Sequence, residues 1–148
     1  METREITDKV AVGRQPSAEQ LAELRAQGFA TVVNLRTVGE KNQSLSPTDE
    51  EAEAKSAGLS YHHVPVSISS LDAQQVEAVR EAIRNSEGPV YVHCGAGQRA
   101  CAISLLATEG DGAAGHLVTK ASDLGFPVVD DELRTFIEGF ARKPEGNE

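Results

Sequence analysis

The chain has no tryptophan and few aromatic residues of any kind: four Phe and two Tyr make up 4% of its 148 residues. Its core must therefore be built mainly from Val, Leu, Ile and Ala. Cysteine is almost as scarce, and two thiols, Cys94 and Cys101, are too few for a disulfide framework. Basic residues are outnumbered, with 14 Lys and Arg against 23 Asp and Glu, for a formal net charge of −9. Such a surface repels nucleic-acid phosphates and anionic lipid, so neither nucleic acid nor membrane is an expected partner. No apolar run approaches the roughly 20 residues that span a bilayer. The opening Met1-Glu2-Thr3-Arg4-Glu5 is too polar for a signal peptide, so the cytoplasm is the expected place of work. There is no internal repeat and no low-complexity segment, and no cofactor is expected. What is present, 39% hydrophobic and 25% charged residues, suits one soluble domain over residues 1–148.

Local patterns place the elements. Val10-Ala11-Val12 reads as a short strand that runs into the turn Gly13-Arg14-Gln15-Pro16. Ser17 with Gln20 makes a capping box, Leu21 and Leu24 give a helical stripe, and Gly28 is placed to end that helix. Phe29 to Leu35 is rich in β-branched residues and reads as a buried strand, followed by a polar loop over 36–47. Ser46 is the expected N-cap of a second helix, with Pro47 in its first position and Gly58 at its end. Leu59 to Val66 is a further strand. Asp72 and Gln75 form another capping box, opening a helix with Val76, Val79 and Ile83 on one face. Val90 to His93 is a strand, and Ala100 to Glu109 is helical. Two more helices are expected at about 113–124 and 129–141, with Asp130-Asp131-Glu132 supplying the cap and first-turn charge of the last. The alternation predicts an α/β fold: one mainly parallel sheet of about four or five strands, flanked by helices and joined by right-handed crossovers. Ligands bind outside the carboxyl ends of such strands, which points to residues 36–40, 67–71 and 94–99.

The third of these segments carries the chemistry. In His93-Cys94-Gly95-Ala96-Gly97-Gln98-Arg99, a thiol sits between a strand and a helix N-terminus, where the helix dipole and nearby cations favour the thiolate. Gly95 and Gly97 allow backbone angles that turn N–H groups inward as an anion nest. Arg99 can fold back and grip two oxygens of an oxyanion. The plain alternative is a small buried cysteine and an ordinary surface arginine. Against it, Cys-x-x-Gly-x-Arg arises by chance in only about one chain in a hundred of this composition, and the strand-to-helix setting is a second condition. Cys101, two turns further on, is read as a packed helix residue rather than a resolving thiol. His62, His63 and His116 lack ligand spacing with the cysteines, so no metal site is expected. Arg14 adds positive potential near the mouth.

Asn34-Leu35-Arg36, Glu40, Gly58-Leu59-Ser60-Tyr61, His63-Val64-Pro65-Val66 and Gly88-Pro89-Val90-Tyr91-Val92-His93-Cys94 resemble the phosphatase-like domain of beta-lactamase-hydrolase-like proteins. This bacterial family is related in fold to the dual-specificity protein phosphatases. The resemblance runs over about residues 3–140 and includes Gly13-Arg14-Gln15-Pro16-Ser17. It implies a cysteine-phosphatase fold, with Cys94 as nucleophile and Gly95, Ala96, Gly97, Gln98 and Arg99 as the anion-binding loop. His93 would help orient that loop, or simply bond to backbone at the strand end. Arg36 and Glu40 match family positions, which leaves them as pocket residues or as a surface ion pair.

Two features depart from the protein phosphatases. They place five residues between Cys and Arg, whereas here there are four, a length similar to the loop of rhodanese sulfurtransferases, where the thiolate becomes a persulfide. Ser67-Ile68-Ser69-Ser70 lacks the usual general-acid Asp, Asp72 is committed as a cap, and Ala100 stands where a Ser or Thr usually follows the Arg. A missing acid forfeits about 10²–10⁴-fold on poor leaving groups. The resemblance implies phosphatase-like hydrolysis of a small anionic phosphate ester, or of a phosphoprotein, through a phosphocysteine. The alternatives are sulfur transfer from a sulfane-sulfur donor through a Cys94 persulfide, and a non-catalytic anion-binding or redox-sensing module.

Overall fold

Five short strands form one sheet in the order β1-β2-β5-β3-β4 in the computed structural model, which describes residues 1–110 and 113–141. They are β1 (Arg4–Glu5), β2 (Val10–Gly13), β3 (Thr31–Asn34), β4 (Ser60–His63) and β5 (Val90–His93). All neighbours pair in parallel except β1, which lies antiparallel along β2. Six α-helices lie among the described residues: α1 (Ala18–Ala26), α2 (Pro47–Ser56), α3 (Ala73–Asn85), α4 (Gln98–Glu109), α5 (Ala114–Asp123) and α6 (Asp131–Ala141). The α/β architecture is the expected one.

The side-chain period of two sorts the strands between two cores. Val10, Val12, Val33, Leu35, Val90 and Val92 face α3, α4, α5 and α6, while Ala11, Val32 and Tyr91 face α1 and α2 with Leu21, Leu24 and Ala54. The first core is almost wholly aliphatic, as the scarcity of aromatics demands; each such side chain, fully buried, contributes about 1.5–3 kcal/mol. Helix α4 runs through its middle and is buried on every side from Ala100 to Ala107. No helix among the described residues is long and apolar enough to cross a membrane.

The capping signals match the observed helix starts. Ser17 and Gln20 make the reciprocal box of α1, Ser46 Oγ accepts from Asp49 N before Pro47, and Asp72 with Gln75 opens α3. Three local features differ from expectation. Strand β1 carries no apolar pattern and exists because the turn at Ile6–Val10 folds it back on β2. A single 3-10 turn occupies Ile68–Ser70. Helix α4 starts at Gln98, two residues earlier than Ala100, because Gly97 takes a left-handed conformation (φ +116°) and serves as its N-cap.

Candidate active site

Cys94 extends the parity of Val90 and Val92 and so faces the α4 side, at the carboxyl end of the strand paired on both edges. Its Sγ accepts from the N–H of Gly97 at 3.1 Å and of Ala100 at 3.4 Å. The N–H groups of Gln98 and Arg99, in the first turn of α4, have no intrahelical acceptor and add to the positive end of the helix. Gly97 is required twice over. Its φ is left-handed, and a Cβ there would lie 2.2 Å from the Phe126 ring, which packs against the loop from the segment after α5. The sulfur thus sits where these N–H groups converge at the start of α4.

Two of the segments expected at the rim, 36–40 and 94–99, meet at Arg99, and the third contact comes from Val66, just before 67–71. Its Nη1 and Nη2 donate to Glu40 Oε2 and Oε1 at 2.7 and 2.9 Å, and Nη1 also donates to the Val66 carbonyl at 2.9 Å. Glu40 accepts further from Arg36 Nε at 2.9 Å and from the Thr37 N–H at 2.7 Å. Burial works against the carboxylate, yet the hydrogen bonds from Arg99, Arg36 and Thr37 hold it well below the usual carboxylate range. Glu40 therefore has no proton to give at neutral pH. Its hydrogen bonds in turn raise Arg99, against the opposing effect of burial, and the nearby Cys94 sulfur adds to the pull.

Arg36 is 5% exposed, so it is no surface cation. The polar loop wraps it: Nη2 donates to the Lys41 carbonyl at 2.7 Å, and Nη1 donates to Asn42 O and to the Gln15 side chain. Its guanidinium packs 3.6 Å from where a Gly95 side chain would begin.

His93 has the opposite parity from Cys94 and points toward α2, fully buried, rather than into the pocket. There Nε2 meets Glu50 Oε2 at 2.5 Å, while Nδ1 lies 3.1 Å from the Cys94 carbonyl. The His93 imidazole thus bridges the Glu50 carboxylate and the Cys94 carbonyl. Gln15 Nε2 donates to Glu50 Oε1 at 3.2 Å, and Asn34 Nδ2 approaches it at 3.5 Å. Sequence reading missed Glu50. The signal was its place with Pro47 and Ala54 on the buried stripe of an otherwise polar helix.

The segment Ser67–Ser70 itself carries no carboxylate. Ser67 Oγ bonds Ser69 across the 3-10 turn, and the Asp72 carboxylate caps α3 by accepting from Gln74 N at 2.6 Å. Among the described residues no cluster of His, Cys, Asp or Glu is placed to hold a metal ion. Both cysteines are buried free thiols, but only Cys94 has loop N–H groups at its sulfur; burial, with the Cys94 sulfur nearby, pushes Cys101 up to about 12. Iodoacetamide at mildly alkaline pH should therefore label Cys94 at least tenfold faster than Cys101, read by peptide mass spectrometry. Equal labelling would contradict the assignment of the two thiols.

The family model for the beta-lactamase hydrolase-like protein, phosphatase-like domain, matches residues 2–110. A curated relative, the beta-lactamase hydrolase-like protein of Xylella fastidiosa (strain Temecula1), is 33% identical over 112 residues, covering 76% of this chain and 26% of that one. The chain thus spans about a quarter of the length of the curated relatives it matches. Among solved structures, a candidate phosphatase from Neisseria meningitidis superposes with a TM-score of 0.77 at 22% identity, over 94% of this chain and 97% of that one. The core catalytic domain of the PP-IP phosphatase SIW14 from S. cerevisiae gives 0.71 at 15% identity, over 93% and 84%. At these identities the structural likeness is one of fold. Matched over most of its length, the chain belongs to the family of phosphatase-like domains of beta-lactamase hydrolase-like proteins.

Proposed function

We propose that the domain hydrolyses small phosphate esters with Cys94 as nucleophile and Arg99 as oxyanion clamp. The observation that carries this reading is the Cys94 sulfur itself, held by two loop N–H groups at the start of α4 with the Arg99 guanidinium beside it. The Cys94 thiolate attacks phosphorus, the P–O bond breaks, and its electron pair leaves on the ester oxygen. Water then attacks the phosphocysteine, releasing phosphate and restoring the thiolate. Gly95, Ala96, Gly97 and Gln98 supply the backbone cradle, and Arg36 and Glu40 stand behind Arg99 rather than touching substrate.

Glu40 is ionised and saturated with hydrogen bonds, and the serine segment offers no acid, so the leaving group departs without a proton. Turnover of substituted phenyl phosphates should fall steeply as the phenol becomes more basic, and phosphoserine peptides should be very poor substrates. A flat dependence on phenol pKa would overturn the acid-free mechanism.

Sulfur transfer is the second reading. Four loop residues make a narrow ring, and Glu40 already occupies both terminal nitrogens of Arg99. In that reaction the S–S bond of thiosulfate breaks with its electrons leaving on sulfite, Cys94 becomes a persulfide, and cyanide removes the outer sulfur as thiocyanate. Parallel assays with 4-nitrophenyl phosphate and with thiosulfate and cyanide decide between the two. Thiocyanate formation without any phosphate release would replace the hydrolase reading.

A further inference from the structure

A cleft of about 300 Å³ borders the nucleophile loop at Gly95 and Ala96, one and two residues beyond Cys94. Its other walls include Glu2, Arg4, Arg14 and Phe126. The two cations differ. Arg4 is paired with Glu2 at 3.2 Å on the open surface. Arg14 is exposed, and no carboxylate among the described residues lies within ion-pairing distance of it.

Its backbone, by contrast, is anchored from the core. The fully buried Tyr91 donates its hydroxyl to the Arg14 carbonyl at 2.6 Å, and burial raises that phenol so that it stays protonated. The next residue, Gln15, donates its N–H to the Gly95 carbonyl at 3.4 Å, tying the turn to the nucleophile loop. Gly13 makes the hydroxyl contact possible, since a Cβ there would lie 2.5 Å from the Tyr91 oxygen. An unpaired cation is thus held beside an anion-binding loop in a chain whose net charge is −9. Across the cleft Phe126 offers an apolar face.

We infer that this cleft is a second anion subsite, and that Arg14 selects substrates bearing a further oxyanion beside the phosphoryl group bound at the Cys94 loop. The chemical class is a small phosphate ester with a second acidic group, carboxylate or phosphate, carried on a short apolar connection that lies against Phe126. The inference rests on the reading of the Cys94 loop as a phosphoryl site.

Binding can test it without turnover. Methylphosphonate and phosphonoacetate share a phosphonate, but only the second carries a carboxylate; ethylphosphonate and methylenediphosphonate make the corresponding non-hydrolysable pair for a second phosphoryl group. By titration calorimetry on the wild-type chain, the doubly acidic member of at least one pair should bind about tenfold tighter than its parent, as one charge-assisted contact provides. In Arg14→Gln that ratio should fall to near one. Arg84→Gln, the same change of charge away from the cleft, should leave the ratio intact. Whichever pair shows the preference identifies the second group. Equal affinities within both wild-type pairs, or a preference that survives Arg14→Gln or is lost equally in Arg84→Gln, would remove the subsite and leave the loop reading standing. Failure of all four probes to bind would overturn both.

Discussion

Glu50→Ala is expected to lose about 3–5 kcal/mol of stability, the usual cost of stripping one partner from a fully buried pair. Glu50 and His93 both have fully buried side chains and meet at 2.5 Å, out of reach of solvent that could replace the carboxylate. Removing it leaves a cavity in α2, two amide donors from Gln15 and Asn34 short of an acceptor, and an imidazole nitrogen facing empty space. Urea unfolding reads the loss; a variant as stable as wild type would show that the pair contributes nothing net. Glu50→Gln separates charge from packing. Its amide fills the same space and can donate to an imidazole nitrogen, so the fold should survive with a smaller loss, but the carboxylate is gone from the far side of the imidazole that meets the Cys94 carbonyl. Alkylation of Cys94 should then change in rate although nothing in the loop has changed. Unaltered alkylation in a folded Glu50→Gln protein would confine Glu50 to a structural role.

Arg99→Lys should damage catalysis nearly as much as Arg99→Ala, by about 10²–10³ in kcat, the scale of losing an oxyanion donor. The reason lies in the fork. Glu40 takes one bond from each terminal nitrogen, and the Val66 carbonyl takes another from Nη1, which fixes the guanidinium plane beside Cys94. A lysine ammonium keeps the charge but not the plane, and it cannot satisfy both Glu40 oxygens while presenting a donor to substrate. Because Arg99 and Arg36 hold Glu40 ionised well below the ordinary carboxylate range, this clamp does not loosen at mildly acidic pH. Vanadate affinity and kcat/KM on 4-nitrophenyl phosphate, measured for both variants, check the claim. Full vanadate affinity in Arg99→Lys would mean that a point charge suffices.

What could be read before the fold was known followed from how far apart the interacting residues lie in sequence. Capping boxes at Ser17 and Asp72 and the β-branched runs of β3 and β5 are local, and they matched the observed elements. The Cys94–Arg99 segment stood out for the same reason, since its thiol, glycines and cation all fall within six residues. Glu40 and Arg36 were visible only as two open possibilities, because their burial depends on how the loop wraps the guanidinium. Glu50 was lost among Asp49, Glu50 and Glu51, three neighbouring acids of which only the middle one turns inward. It meets His93 across 43 positions, through the alternation of β5 and the placement of α2 on the opposite face of the sheet from α4. Strand β1 had no apolar pattern to announce it.

The ring of Phe126 fills the space where Gly97 has no side chain, so the curvature of the nucleophile loop depends on a residue downstream of α5. That residue lies beyond the stretch that the family model matches, residues 2–110. Loop shape and loop sequence are therefore separable inheritances. The residues of the Cys94 loop can stay fixed while substitutions after α5 change how closely its backbone is packed at Gly97.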